Sequence, residues 1–287
     1  MPTPDASMPA DGSGASSVRR ELAHHARRLA RPTTVRDLSP RSLVTLSACL
    51  LATLLAVASA AGPAAEGATA GVVAAAAVVL AAGWTRVVGL PSRRGTLITV
   101  GLSAALLLAS VLVPADGATL RWVPAALAMG VVTAFLHQLV RRDGRPRVVS
   151  SLSGTLMALA VTAAGVTWVA LPSLPHGADA ATTAWVALAA AAAVEWACHR
   201  ARWWAAMVPG ALLAAAAAAA LVATLLHVAL PWSVLLGLAV AAPSVATRAV
   251  FAPLPALVSS RAQAVSGVAS VLVAGPVVEV VARHALG

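Results

Sequence analysis

Lysine and tyrosine are missing from this 287-residue chain, and phenylalanine occurs only as Phe135 and Phe251. Binding nucleic acid by base stacking requires aromatic rings set into a basic groove. These two phenylalanines are the only non-indole aromatics, and the arginines that alone carry the net charge of +10 sit at the ends of apolar runs and in selected loops, so no basic and aromatic face points to a nucleic-acid partner. Charge of either sign is scarce: ten per cent of residues are charged against sixty per cent hydrophobic, too few to coat a soluble domain of this length. Cysteine is limited to Cys49 and Cys198, with no CxxC and no Cys/His ligand spacing, so both thiols read as small buried hydrophobes. Also missing are a Walker-type glycine loop, HExxH, GxSxG and paired carboxylates inside an apolar run. ATP-driven pumping and metal-dependent hydrolysis thereby lose their usual residues, and no catalytic residue, metal ligand or cofactor is expected.

What is present is apolar sequence in runs at about 43–61, 67–84, 96–113, 122–140, 149–171, 180–198, 204–229, 232–249 and 262–282. At about 1.5 Å per residue, most of these can cross a hydrocarbon core about 30 Å thick. Inside that core every backbone donor and acceptor must be satisfied by the chain itself, which a helix does within one segment. The pattern predicts an all-α, polytopic integral membrane protein with about nine transmembrane helices in residues 42–287. Only Leu230-Pro231 divides the seventh run from the eighth, yet one helix through both would be far over length, so two are expected.

Residues 1–16 are rich in Pro, Gly, Ser and Asp and cannot bury enough apolar surface to fold alone. Arg19, Arg20, Arg27, Arg28, Arg31, Arg36 and Arg41 follow before the first run. Residues 1–41 are therefore expected to be a disordered, arginine-rich cytoplasmic tail. Val18, Leu22 and Leu29 leave open a short helix lying on the membrane surface. Loop charge then alternates as the positive-inside rule requires. Arg86, Arg93, Arg94, Arg141, Arg142, Arg145, Arg147, Arg200, Arg202, Arg248 and Arg261 fall on the side of the tail, and Arg121, Arg283, Glu66, Asp116 and Asp179 on the other. The N-terminus is expected in the cytoplasm, in the cell (inner or plasma) membrane, with anionic lipid headgroups as partners of the arginine side.

Ionisable groups inside a span are costly and so are functional candidates, although those near a helix end reach the interface cheaply. Glu195 in VEWACHRAR lies about one turn inside the sixth run, with Arg200 and Arg202 placed to neutralise it. Arg248 ends the eighth run and either clamps a phosphate or only marks the inside. His137 with Gln138, and His227, read as polar caps at helix ends. Glu195, Arg200, Arg202, Arg248 and His137 are the candidate ligand-binding residues. Glu279 and Arg283 have the i, i+4 spacing of a helix ion pair, and Pro243 and Pro276 predict local kinks. Gly67 and Gly71 have the spacing of a close helix contact.

The segments FLHQLVRRDGRPRVVSSLSGTLMALAV, VPGALLAAAAAAALVATLLHVALPWSVLLGLAVA and SGVASVLVAGPVVEVVARHAL follow the order of landmarks in bacterial phosphatidate cytidylyltransferases, which the chain resembles over about residues 70–285. The resemblance implies a multi-helix membrane scaffold that in that family joins CTP to phosphatidic acid with magnesium. Where the family has an Asn-Asp pair this chain has Glu195 as its only acid, and the later acidic elements are replaced by AAPSVATRAVF and RAQAVSGVASV. Magnesium with a nucleoside triphosphate calls for one or two carboxylates beside the phosphates. The expectation is a non-catalytic, lipid-associated helical relative. A permease or transporter component is the alternative, and a cytidylyltransferase-like enzyme the third.

Overall fold

Alanine and leucine fill the apolar runs, and they lose little conformational freedom on entering a helix. The computed structural model describes residues 42–113, 120–141 and 147–285. Of these residues 88% are helical and none lies in a strand. The helices are α1 (Ser42–Ser59), α2 (Ala65–Val87), α3 (Arg93–Leu112), α4 (Val123–Val140), α5 (Val148–Ala170), α6 (Gly177–Ala201), α7 (Trp204–Leu226), α8 (Leu230–Phe251), α9 (Ser260–Leu272) and α10 (Gly275–Ala285). Nine segments among the described residues are long and apolar enough to cross a membrane, the ninth being α9 and α10 together. The chain is a multi-pass, all-α membrane protein. The expected basic tail at 1–41, Asp116, Arg142 and Arg145 lie outside the described residues.

Burial sorts the spans into inner and outer. α9 is buried almost throughout from Ala262 to Leu272 and packs against α1, α2, α5 and α8. α4 and α7 sit outside, each with less than a quarter of its apolar window covered, so most of their leucines and valines face the position of lipid. α6 bridges the α7–α8 pair to α1. Small residues permit the closest approaches. A Cβ on Gly267 of α9 would collide with Ser47 Oγ and the Val44 carbonyl of α1, and one on Gly237 of α8 would strike Ala219 and Ala215 of α7. Gly67 and Gly71, by contrast, have open space where a Cβ would go. The expected close contact is therefore absent there, and Gly71 instead lines an apolar groove between α1 and α2.

Proline acts differently at its positions. Pro209 in α7 and Pro243 in α8 lie inside continuous helices. Pro276 follows a true break, where α9 ends at Leu272 and a new helix opens at Gly275. Such a break frees backbone groups that lipid cannot satisfy. Here the chain turns back on itself, the Ala274 N–H donating to the Val271 carbonyl at 3.1 Å, and Trp168 of α5 adds a second donor to that carbonyl through its indole Nε1 at 3.3 Å. On α10 the expected Glu279–Arg283 ion pair is formed, with Glu279 buried and Arg283 exposed.

Candidate functional site

The C-terminal turns of α6 and α8 and the body of α9 meet at the end of the bundle that carries Arg86, Arg93, Arg94, Arg141, Arg147, Arg200, Arg202 and Arg261. Arg248 begins there, three residues before the last residue of α8, which is about 5 Å from the helix end. A long cation so placed ordinarily snorkels outward to the interface. Its side chain instead runs inward, because a helical Cα–Cβ bond tilts toward the N-terminus. Nη1 donates to Ser244 Oγ one turn deeper on the same helix at 2.8 Å and to Ser270 Oγ on α9 at 3.0 Å. Nε is ion-paired with Glu195 Oε2 of α6.

Burial makes that pair consequential. Arg248 is 7% exposed and Glu195 12%, so neither charge is well solvated by water. Removing one partner of a buried pair leaves the other uncompensated, typically at about 3–5 kcal/mol. Ser270 relays the cation onward, its hydroxyl donating to the Gly267 carbonyl at 2.8 Å. The guanidinium also sits beside the last turn of α9, the negative end of that helix dipole. A break in the ninth span thus supplies a cation site within the bundle, and Arg248 occupies it.

Beside the pair lies a cleft of about 40 Å³, lined by Thr45, Glu195, Trp196, His199, Arg248 and Ser266 among others. His199 packs edge-on to Trp204, with ring centroids 4.7 Å apart. Arg200 lies over the Trp196 ring, 5.7 Å from its centroid. Arg202 caps α6 in a left-handed conformation at φ 65° and is exposed. The ion pair recorded at Glu195 is with Arg248 and not with either of these residues. The i+5 position is roughly 140° round the helix, and Arg202 is beyond the last helical residue, so the partner the fold brings is Arg248, 53 residues away.

His137 belongs to a separate cluster. It is half-buried on α4, with its ring against Gly95 of α3 so closely that no Cβ fits between them. One residue on, Gln138 Nε2 donates to Ser151 Oγ of α5 at 3.0 Å, and Gln138 Oε1 accepts from Arg141 Nη1 at 2.9 Å. α4 packs on α3 and α5, so this network ties down the α4–α5 end and is distinct from the Glu195 cleft.

Ser244, Ser266 and Ser270 were not among the residues the sequence pointed to, although each has a periodic signature. Ser244 precedes Arg248 by four, and Gln263, Ser266 and Ser270 fall on one helical face of an otherwise apolar span. Among the described residues no three of His, Cys, Asp and Glu come together as a metal site would require. What the arrangement offers is charge, hydrogen-bond donors and a small cleft at the arginine-rich end. No protein-family model, curated protein or solved structure matches the chain.

Proposed function

We propose that the chain is a non-catalytic, lipid-associated helical scaffold of the cell membrane, with its N-terminus and arginine-rich end in the cytoplasm and anionic headgroups as its partners there. The observation that carries this reading is the sorting of charge by helix end. Among the described residues Arg86, Arg93, Arg94, Arg141, Arg147, Arg200, Arg202, Arg248 and Arg261 gather at one end, against Arg121 and Arg283 at the other. Each exposed cation near an anionic surface adds roughly 1 kcal/mol of attraction.

Glu195 supports the non-catalytic part. It is the one acid on the segment where the cytidylyltransferase resemblance would place a metal, and a carboxylate already engaged by a guanidinium is a poor magnesium ligand. A degenerate relative that keeps that family's scaffold without its chemistry accounts for both features. The assay is magnesium-dependent formation of CDP-diacylglycerol from CTP and phosphatidic acid by the lipid-reconstituted protein, beside a Glu195→Gln control. No turnover is expected, and turnover lost in the control would overturn the reading.

A permease component is the second reading, favoured by the break between α9 and α10 and by the buried Gln263, Ser266 and Ser270 along α9 that lead up to it. Interrupted helices with polar faces line transport sites. A cysteine-accessibility scan along α5 and α8 separates the two, since a transport path requires water-reachable positions at mid-span and a scaffold does not.

A further inference from the structure

We infer that the cleft between α1, α6, α8 and α9 binds one phosphate-type oxyanion, with Arg248 Nη2 and Ser266 Oγ as its donors. Nε and Nη1 of Arg248 are committed to Glu195, Ser244 and Ser270. Nη2 is buried without a hydrogen-bond partner among the described residues, and so is the hydroxyl of Ser266 on α9. Both residues line the same cleft. Folded proteins leave only a few buried polar groups unanswered, and of those in this structure Arg248 Nη2 and Ser266 Oγ flank one cavity, which points to an acceptor that the chain itself does not provide.

The chemistry of that acceptor follows from the donors. A guanidinium nitrogen only donates, so its partner is an oxygen lone pair. Arg248 and Glu195 cancel each other's charge, which leaves the exposed Arg200, Arg202 and Arg261, with the N-terminal end of α9, to set a positive field at the mouth. An anion is favoured over a neutral acceptor on that account. About 40 Å³ is room for roughly three water-sized groups, so the cleft admits a phosphate centre and no more. The two donors match the two free oxygens of a phosphodiester, and the guanidinium turns Nη2 onto the first of them.

The site stands on this geometry. It takes from the scaffold reading only that a lipid headgroup is one source of the oxyanion, free phosphate being the other. Native mass spectrometry of the full chain tests it, with phosphatidylglycerol against diacylglycerol, which lacks the phosphate, as probes and inorganic phosphate as competitor. One phosphatidylglycerol is expected to stay bound with about a tenfold preference. Ser266→Ala is expected to lower that preference several-fold and Arg248→Met with Glu195→Met to abolish it, the double change leaving no buried charge unpaired. Thermal unfolding of both variants checks that each is folded. Displacement by inorganic phosphate assigns the site to the free anion, and persistence assigns it to the lipid. Loss of all preference in the parent protein, as expected of a cleft that holds only water, would overturn the inference, and so would full retention by both folded variants. Cytidylyl transfer or transport activity would remove the scaffold reading and leave the oxyanion site standing.

Discussion

Arg248 and Glu195, on α8 and α6, are joined by an ion pair that lies inward of the helix end where the arginine is rooted. The direction of the side chain gives the pair its meaning. A topology marker keeps its charge in the interface, whereas this guanidinium reaches Ser244 one turn deeper and Ser270 on the helix behind.

Breaking the pair from one side is expected to cost about 3–5 kcal/mol, since Arg248→Met strands a carboxylate and Glu195→Met strands a guanidinium. The double change is expected to cost much less than the sum of the two. Denaturant titration of the three proteins in detergent gives the coupling energy, and additive single effects would show that the pair contributes nothing as a pair.

Gly267→Val drives a branched side chain into Ser47 and the Val44 backbone, where α9 crosses α1. Overpacking of this kind costs about 1–3 kcal/mol and more against backbone. Gly71→Val, on the open face of α2, is the control and is expected to leave the melting temperature nearly unchanged.

Trp168→Phe removes the indole donor to the Val271 carbonyl at the α9–α10 break while keeping an aromatic ring in place. The Ala274 N–H still donates to that carbonyl at 3.1 Å, so the loss is that of one hydrogen bond, about 0.5–1.5 kcal/mol, rather than of an orphaned acceptor. Hydrogen exchange at Val273 and Ala274 is expected to accelerate in the variant, and unchanged exchange there would mean that the break is satisfied by other groups.

His227 ends α7 at φ 55°, a left-handed backbone that costs a residue with a Cβ about 1–2 kcal/mol. His227→Gly is expected to raise thermal stability by roughly 1 kcal/mol, less the entropy that glycine adds to the unfolded chain. A fall in stability would mean that the exposed imidazole makes a contact worth more than the strain.

Orientation is read by cysteine labelling in a chain whose Cys49 and Cys198 have been changed to alanine. Ser173→Cys, between α5 and α6, is expected to react with an impermeant maleimide in intact cells, and Ser92→Cys, at the start of α3, only after permeabilisation. The opposite pattern would invert the topology and move the arginine-rich end outside.

Helix class and the count of spans were legible in the sequence because both follow from local composition. A run of about twenty apolar residues without charge admits one conformation in lipid, whatever its neighbours are. The Glu279–Arg283 pair was legible for the same reason, being set by spacing within one helix. Contacts between helices were not, since each depends on which faces the packing brings together. Gly67 and Gly71 have the spacing of a contact and meet open space, while Gly267, in no such pattern, sits where α9 crosses α1 too closely for a Cβ. Glu195 was recognised as an intramembrane acid, but its partner came from 53 residues away because α6 and α8 turn those faces toward each other. Pro276 marked a kink in the ninth span, but only the tertiary structure showed that the span stops at Leu272 and restarts at Gly275. Hydropathy does not register the break, which is tolerated because turn hydrogen bonds such as Ala274 N–H to the Val271 carbonyl, and the buried Trp168 indole, satisfy its backbone groups away from lipid.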